Sequence, residues 1–153
     1  MENISMFKAL DGKDIAILEL LQKDSSKSRK WIAKKLALPL TTVHNRIAKL
    51  ERDGIISGYN ARLDYKKLGY DVSAYVQLTV DYATRDFSQV DAAKKIRALH
   101  GVDSVCIVAG TTDIIVKVRA KDTDGLNDFL LNHLRKIEGI DKTTSIVVLK
   151  EFA

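Results

Sequence analysis

The chain has 153 residues, 46% of them hydrophobic and 29% charged, and its 25 Lys and Arg outnumber 20 Asp and Glu for a formal net charge of +5. That length suits two small domains, each short of core on its own. No apolar run reaches the roughly 20 residues that span a bilayer, and the opening Met1 to Ser5 lacks the basic-then-apolar order of a secretion signal, so a cytoplasmic protein is expected. The single cysteine, Cys106, excludes an internal disulfide, and its setting among Val105, Ile107 and Val108 predicts a buried, inert thiol.

The positive excess is uneven. Residues 1–64 hold 12 Lys and Arg against 8 Asp and Glu, a net of +4, whereas residues 65–153 hold 13 against 12, a net of +1. Leu10-Asp11-Gly12-Lys13-Asp14 reads as a helix start, with Asp11 as cap and Asp14 three residues on as its reciprocal partner, and Ile15, Ile17, Leu18 and Leu21 supply the apolar face. After the turn Asp24 to Lys27, Ser28 caps a second helix whose Ile32, Ala33 and Leu36 face inward. Pro39 suits the entrance of a third helix, in which Val43, Ile47 and Leu50 recur at helical spacing. Thr41, Thr42, His44, Asn45, Lys49 and Arg52 then face outward. Two short amphipathic helices around one tight break, rich in Lys and Arg, form a helix-turn-helix and point to double-stranded DNA as partner.

Gly54 to Ala61 reads as a helix stop and a short strand, and Asp64 to Gly69 as a connector, which puts the domain boundary at residues 62 and 63. Beyond it the period changes to two: Val72, Ala74, Val76, Leu78 and Val80 alternate with Ser73, Tyr75, Gln77 and Thr79. A helix with Ala92, Ala93, Ile96 and Leu99 follows, then a strand from about Val102 to Val108, a Gly110-Thr111-Thr112-Asp113 turn and a strand from Ile114 to Val118. Leu126, Phe129, Leu130, Leu134 and Ile137 make the stripe of a long last helix, in which His133 reads as a structural histidine, and Thr143 to Leu149 is the final strand. The order βαββαβ predicts a ferredoxin-like antiparallel sheet with both helices on one face, so the chain is α+β. The other sheet face, with Tyr75, Gln77, Thr79 and Lys117 among apolar neighbours, suits a second copy as cover, hence a homodimer at least.

Short donors and acceptors at the start of the third helix, Thr41, Thr42, His44 and Asn45, suit base edges, although one of the two threonines also fits a helix-capping role. Arg46 and Lys49 read as phosphate contacts, with Arg29, Lys30, Lys34 and Lys35 adding attraction that does not depend on sequence. The Gly110, Thr111, Thr112, Asp113 turn has two readings. Its N–H groups suit a carboxylate and Asp113 an ammonium, the two ends of an amino acid, but the same residues make an ordinary hairpin in which Asp113 bonds backbone. No metal-ligand spacing, cofactor motif or catalytic constellation stands out, so no metal, no cofactor and no enzyme is expected.

Taken together, Leu10-Asp11 with Asp14, Ile17 and Leu18, then Ile32-Ala33, Leu36, Leu38, Thr41-Thr42-Val43, Arg46-Ile47 and Leu50-Glu51, resemble the Lrp/AsnC (leucine-responsive, or feast/famine) regulator family. Gly54-Ile55-Ile56, Gly58-Tyr59 and the pair Gly110 and Asp113 extend the resemblance from Leu10 to about Leu149. It implies a winged helix-turn-helix domain over 1–62 joined to a βαββαβ effector and oligomerisation domain over 63–153. It also implies an amino-acid effector near Gly110 to Asp113 and Thr144, near-palindromic DNA sites, and dimers assembling to tetramers or octamers. Ser26, Lys27, Trp31 and Ala37 depart from the family pattern. Trp31 has two uses, packing over the place Lys27 leaves, which its large area favours, or lying on a sugar-phosphate backbone. The alternatives are an enzyme like the sirohaem decarboxylases, which the two-domain plan also resembles, and a DNA-compacting protein without effector.

Overall fold

Three helices, α1 (Gly12–Lys23), α2 (Arg29–Leu36) and α3 (Leu40–Arg52), build the first of two units in a computed structural model that describes residues 10–81 and 88–151. The contacts divide the chain into Met1–Arg62 and Leu63–Ala153. Met1 to Ser5, read above for a secretion signal, lies outside the described residues. α1 begins at a complete capping box: Asp11 Oδ1 accepts from the N–H groups of Lys13 and Asp14 at 2.9 Å each, and Asp14 Oδ2 accepts from Asp11 N–H at 3.3 Å. Ser28 Oγ caps α2 by accepting from Trp31 N–H at 3.1 Å. Ala37, at φ 51° and ψ 43°, then turns the chain left-handed, and Leu38 N–H closes onto Ala33 O at 3.0 Å. Pro39 precedes α3, its carbonyl accepting from Val43 N–H.

The three helices share one core. Ile17, Ile32 and Val43 are fully buried, with Ile47 and Leu50 nearly so, and Leu18, Leu36, Leu38 and Ile56 pack around them. Each such side chain contributes about 1.5–3 kcal/mol by leaving water. The short strand expected over Gly54 to Ala61 does not form. A strand needs a ladder partner, and no strand among the described residues pairs with this segment; instead Ile55 and Ile56 N–H groups both bond Leu50 O and finish the helix.

The second unit opens with a turn at Tyr65–Tyr70 and runs β1 (Val72–Val80), α4 (Gln89–Arg97), β2 (Val102–Ile107), β3 (Ile114–Ala120), α5 (Thr123–Asp128) and β4 (Ile140–Val147). The strands form one antiparallel sheet in the order β2-β3-β1-β4, the expected βαββαβ plan. Ala74, Val76, Leu78 and Val80 of β1 and Ile114, Val116, Val118 and Ala120 of β3 point to one face. There they meet Ala92 and Ile96 of α4 and Leu126, Phe129 and Leu134.

Two expectations fail here for geometric reasons. The last helix is not a long regular one: after α5 the turn widens to a π-helical stretch over Phe129–Leu134, with Arg135 N–H bonding Leu130 O, five residues back. Phe129 and Leu134 therefore share the inner side, and His133 swings out to 54% side-chain exposure with Nε2 3.3 Å from Asp128 Oδ2. It is not a core histidine. Cys106 is exposed rather than buried, because its register partner is Ile115, which puts it on the sheet face away from the helices, on an edge strand. That outer face also carries Tyr75, 39% exposed, and Ile146, 48% exposed.

Candidate nucleic-acid interface and effector turn

The helix pair sorts its cations into two groups. Arg46 Nη1 lies 2.7 Å from Asp14 Oδ1 and 2.7 Å from Asp11 Oδ2, and these bonds raise its pKa above the ordinary arginine value. The same contacts reach back to the capping box: Asp14 N–H first, with Arg46 second among the groups that favour the charge, lowers the Asp11 carboxyl. Arg46 thus ties α3 to the start of α1, and its expected phosphate role meets a competing structural one. Arg29 lies between His44 Nδ1, 2.6 Å from its Nη1, and Glu51 Oε1, 3.6 Å from its Nη2. Lys30, Lys34, Lys35 and Lys49 form no ion pair with described residues.

Thr41, His44 and Asn45 are exposed and Thr42 is half-buried on the first turns of α3. Neither threonine caps the helix, since Pro39 holds the N-cap position without any side-chain bond, so both hydroxyls stay available. Trp31 stays outside the buried core of the three helices. It is 41% exposed one residue ahead of the buried Ile32, and the Lys27 ammonium, instead of leaving a gap, stands 5.8 Å from its ring centroid.

In the second unit Gly110 to Asp113 joins β2 to β3. Gly110 has φ +143°, a conformation side chains rarely adopt. Asp113 is built into the sheet end: its N–H donates to Leu78 O at 2.9 Å, and its Oδ2 accepts from Val80 N–H at 2.9 Å. The carboxylate therefore bonds backbone, though that of β1 rather than its own turn. Thr111 is exposed, and Thr112 half-buried. Thr144 is exposed on β4 opposite Gln77, so β1 separates it from β3 by two strand spacings, roughly 10 Å. Within one copy the turn and Thr144 are not in contact.

Sequence reading missed two features. One is the chain of bonds Tyr59 to Glu51 to Arg29 to His44, in which Tyr59 OH donates to Glu51 Oε1 at 2.8 Å; Arg29 lies on a different helix from His44 and Glu51, and no spacing in the sequence pairs them. The other is a cavity of about 320 Å³ at the opposite end of the sheet from Gly110, lined by Tyr70, Leu99, His100, Lys121 and Phe129 among others. Several of its polar groups already have partners, as in Tyr70 with His100 and His133 with Asp128.

Residues 10–57 match the family model for a winged helix-turn-helix DNA-binding domain, and residues 73–153 match that for the Lrp/AsnC ligand binding domain. Together they define a DNA-binding transcription regulator with a small-molecule domain. An uncharacterized HTH-type transcriptional regulator of Pyrococcus furiosus is 36% identical, covering 93% of this chain and 94% of the relative. The HTH-type transcriptional regulator LrpA of Pyrococcus horikoshii is 35% identical, covering 93% and 98%. Among solved structures, AsnC of E. coli superposes with a TM-score of 0.81 at 29% identity, covering 94% of each chain. The feast or famine regulatory protein of M. tuberculosis, complexed with L-methionine, gives 0.85 at 29% identity, covering 95% of each. The chain belongs to the Lrp/AsnC family of transcription regulators, which supports the regulator reading over the decarboxylase and DNA-compacting ones.

Proposed function

We propose that α3 reads duplex DNA through Thr41, Thr42, His44 and Asn45, while Lys30, Lys34, Lys35 and Lys49 hold phosphates. The observation that carries this reading is the exposed start of α3, where neither threonine is spent on capping, with lysines on α2 and α3 that form no ion pair with described residues. Asn45→Ala should relax base preference, and Lys49→Ala should weaken all duplexes alike. Equal losses on cognate and random duplex from both variants would contradict this division of labour.

The same reading gives the second unit an amino-acid effector at Gly110, Thr111, Thr112 and Asp113, completed by Thr144 from a neighbouring copy. L-methionine, found with the M. tuberculosis relative, is the first effector to test. Calorimetry with L-methionine and other amino acids should show binding that Asp113→Ala abolishes; unchanged binding in that variant would remove the site. The exposed Tyr75 and Ile146, paired on the outer sheet face, favour a dimer built sheet to sheet, with tetramers or octamers beyond it. Light scattering at micromolar concentration should report at least two copies, and a monomer would refute the cover. No described helix is long and apolar enough to cross a membrane.

A further inference from the structure

Arg29, the first residue of α2, places Nη1 2.6 Å from Nδ1 of His44 on α3. A guanidinium carries only N–H donors and stays charged in proteins, so this bond requires the lone pair to sit on Nδ1. The neutral ring then has its single proton on Nε2, an atom with no partner among the described residues on an exposed side chain. Arg29 is itself held from behind. Its Nη2 lies 3.6 Å from Glu51 Oε1, and Glu51 accepts from Tyr59 OH at 2.8 Å. Burial, and then the Glu51 bond and charge, push the Tyr59 hydroxyl above its ordinary pKa, which keeps it a donor to that carboxylate. His44 and Glu51 are seven residues apart, two turns along one side of α3, so Arg29 bridges them.

We propose that Arg29 is a positioning residue that fixes His44 as an Nε2–H donor and thereby makes it a reader of hydrogen-bond acceptors, selecting guanine over adenine and cytosine. This rests on the DNA reading given under Proposed function. In the major groove guanine offers two adjacent acceptors, N7 and O6. Adenine sets an amino donor beside its N7, cytosine offers only a donor, and thymine offers the single acceptor O4 beside its methyl group. An unrestrained histidine can present either polarity by moving its proton, but one whose Nδ1 lone pair is occupied cannot. The tautomer, rather than the residue type alone, sets the base. One such hydrogen bond supports about five- to tenfold discrimination.

The test has two arms on the full-length protein. Long-range proton–nitrogen spectra of histidine-labelled protein at about pH 8, with His44 assigned from the His44→Gln variant, should show a protonated Nε2 and an unprotonated Nδ1 at residue 44. Arg29→Met should turn that signal into a tautomer mixture. A wild-type ring protonated on Nδ1, or one unaltered by Arg29→Met, overturns the lock. Selection from randomised duplexes should give one position per half-site that prefers guanine over adenine and cytosine about five- to tenfold. Arg29→Met should flatten that position alone, and His44→Gln should move it towards adenine, the base that glutamine pairs with in two bonds. Unchanged guanine preference in both variants overturns the base assignment. Wild-type protein that selects no sequence overturns that assignment and the DNA reading beneath it, while the ring spectra still decide the lock.

Discussion

Arg46→Ala should cost the first unit much of its stability while leaving the salt dependence of DNA binding nearly unchanged. Arg46 bonds Asp14 Oδ1 at 2.7 Å, and the Asp14 side chain is only 9% exposed. Truncation strands that carboxylate with the Asp11 N–H, at 3.3 Å, as its remaining bond. Removing one partner of a fully buried pair costs about 3–5 kcal/mol. Arg46 is 26% exposed, so water enters beside the shortened side chain and the expected loss is about 2–3 kcal/mol. For a unit of this size that lowers the melting temperature by about 10–20 °C. Urea and thermal unfolding followed by Trp31, the chain's one tryptophan, reports on this unit directly. Arg46→Met combined with Asp14→Asn should recover most of the loss, because no buried charge is then left alone. Lys49→Ala should instead leave unfolding within about 0.5 kcal/mol of wild type and lower the slope of log binding constant against log salt by about 0.9 per bound subunit. An Arg46→Ala protein that melts like wild type and loses the same slope as Lys49→Ala would refute the structural role and restore Arg46 as a phosphate contact.

Gly101→Ala should destabilise the second unit by about 3 kcal/mol, measured by far-ultraviolet circular dichroism, because at φ +82° its new Cβ would stand 2.5 Å from the backbone oxygen of Arg119. Ala37→Gly should raise the stability of the first unit by about 0.5–1 kcal/mol, since Ala37 holds the left-handed conformation between α2 and α3; a loss in the same unfolding assay would show that the turn is unstrained. The Asp24 carboxyl should titrate at about 2 by NMR, held down first by the Ser26 hydroxyl and then by Lys27, and Ser26→Ala should raise it. The sign follows from a lowered folded pKa. Its favourable contribution is present above the ordinary aspartate range and lost as pH falls towards 2.

Local signals proved readable where one rule governs one stretch of chain. The Asp11 box, the Ser28 cap and the buried triplet Val43, Ile47 and Leu50 depend on near neighbours, and the structure has all three. The two-residue period of β1 likewise depends on a single face. What could not be read depends on strand register, on a local change of helical pitch, or on partners distant in sequence. Cys106 follows Ile115 to the outer face through strand register, which no count of apolar neighbours reveals. His133 turns outward because one wide turn resets the helical phase after Asp128, so a fixed 3.6-residue period misplaces it. Arg29 and Arg46 read as groove-facing charge, because their partners lie 15 to 35 residues away.

That last point changes what the basic composition means. Among the described cations of α2 and α3, the arginines are the ones drawn into ion pairs: Arg29 with Glu51, Arg46 with Asp11 and Asp14, Arg52 with Asp53. The lysines of the same helices are left to solvent. A planar guanidinium with several fixed donors can bind two neighbours at once and hold a geometry, whereas an ammonium on a flexible stem is a mobile point charge. The division therefore separates two quantities that the net charge merges. Lysine number should set the salt slope and the affinity for any duplex, and the arginine contacts should set how rigidly α3 is held and which polarity His44 offers. Exchanging Arg29 or Arg46 for lysine preserves every charge in the sequence, yet on this argument it alters selectivity and stability and leaves the salt slope close to its original value.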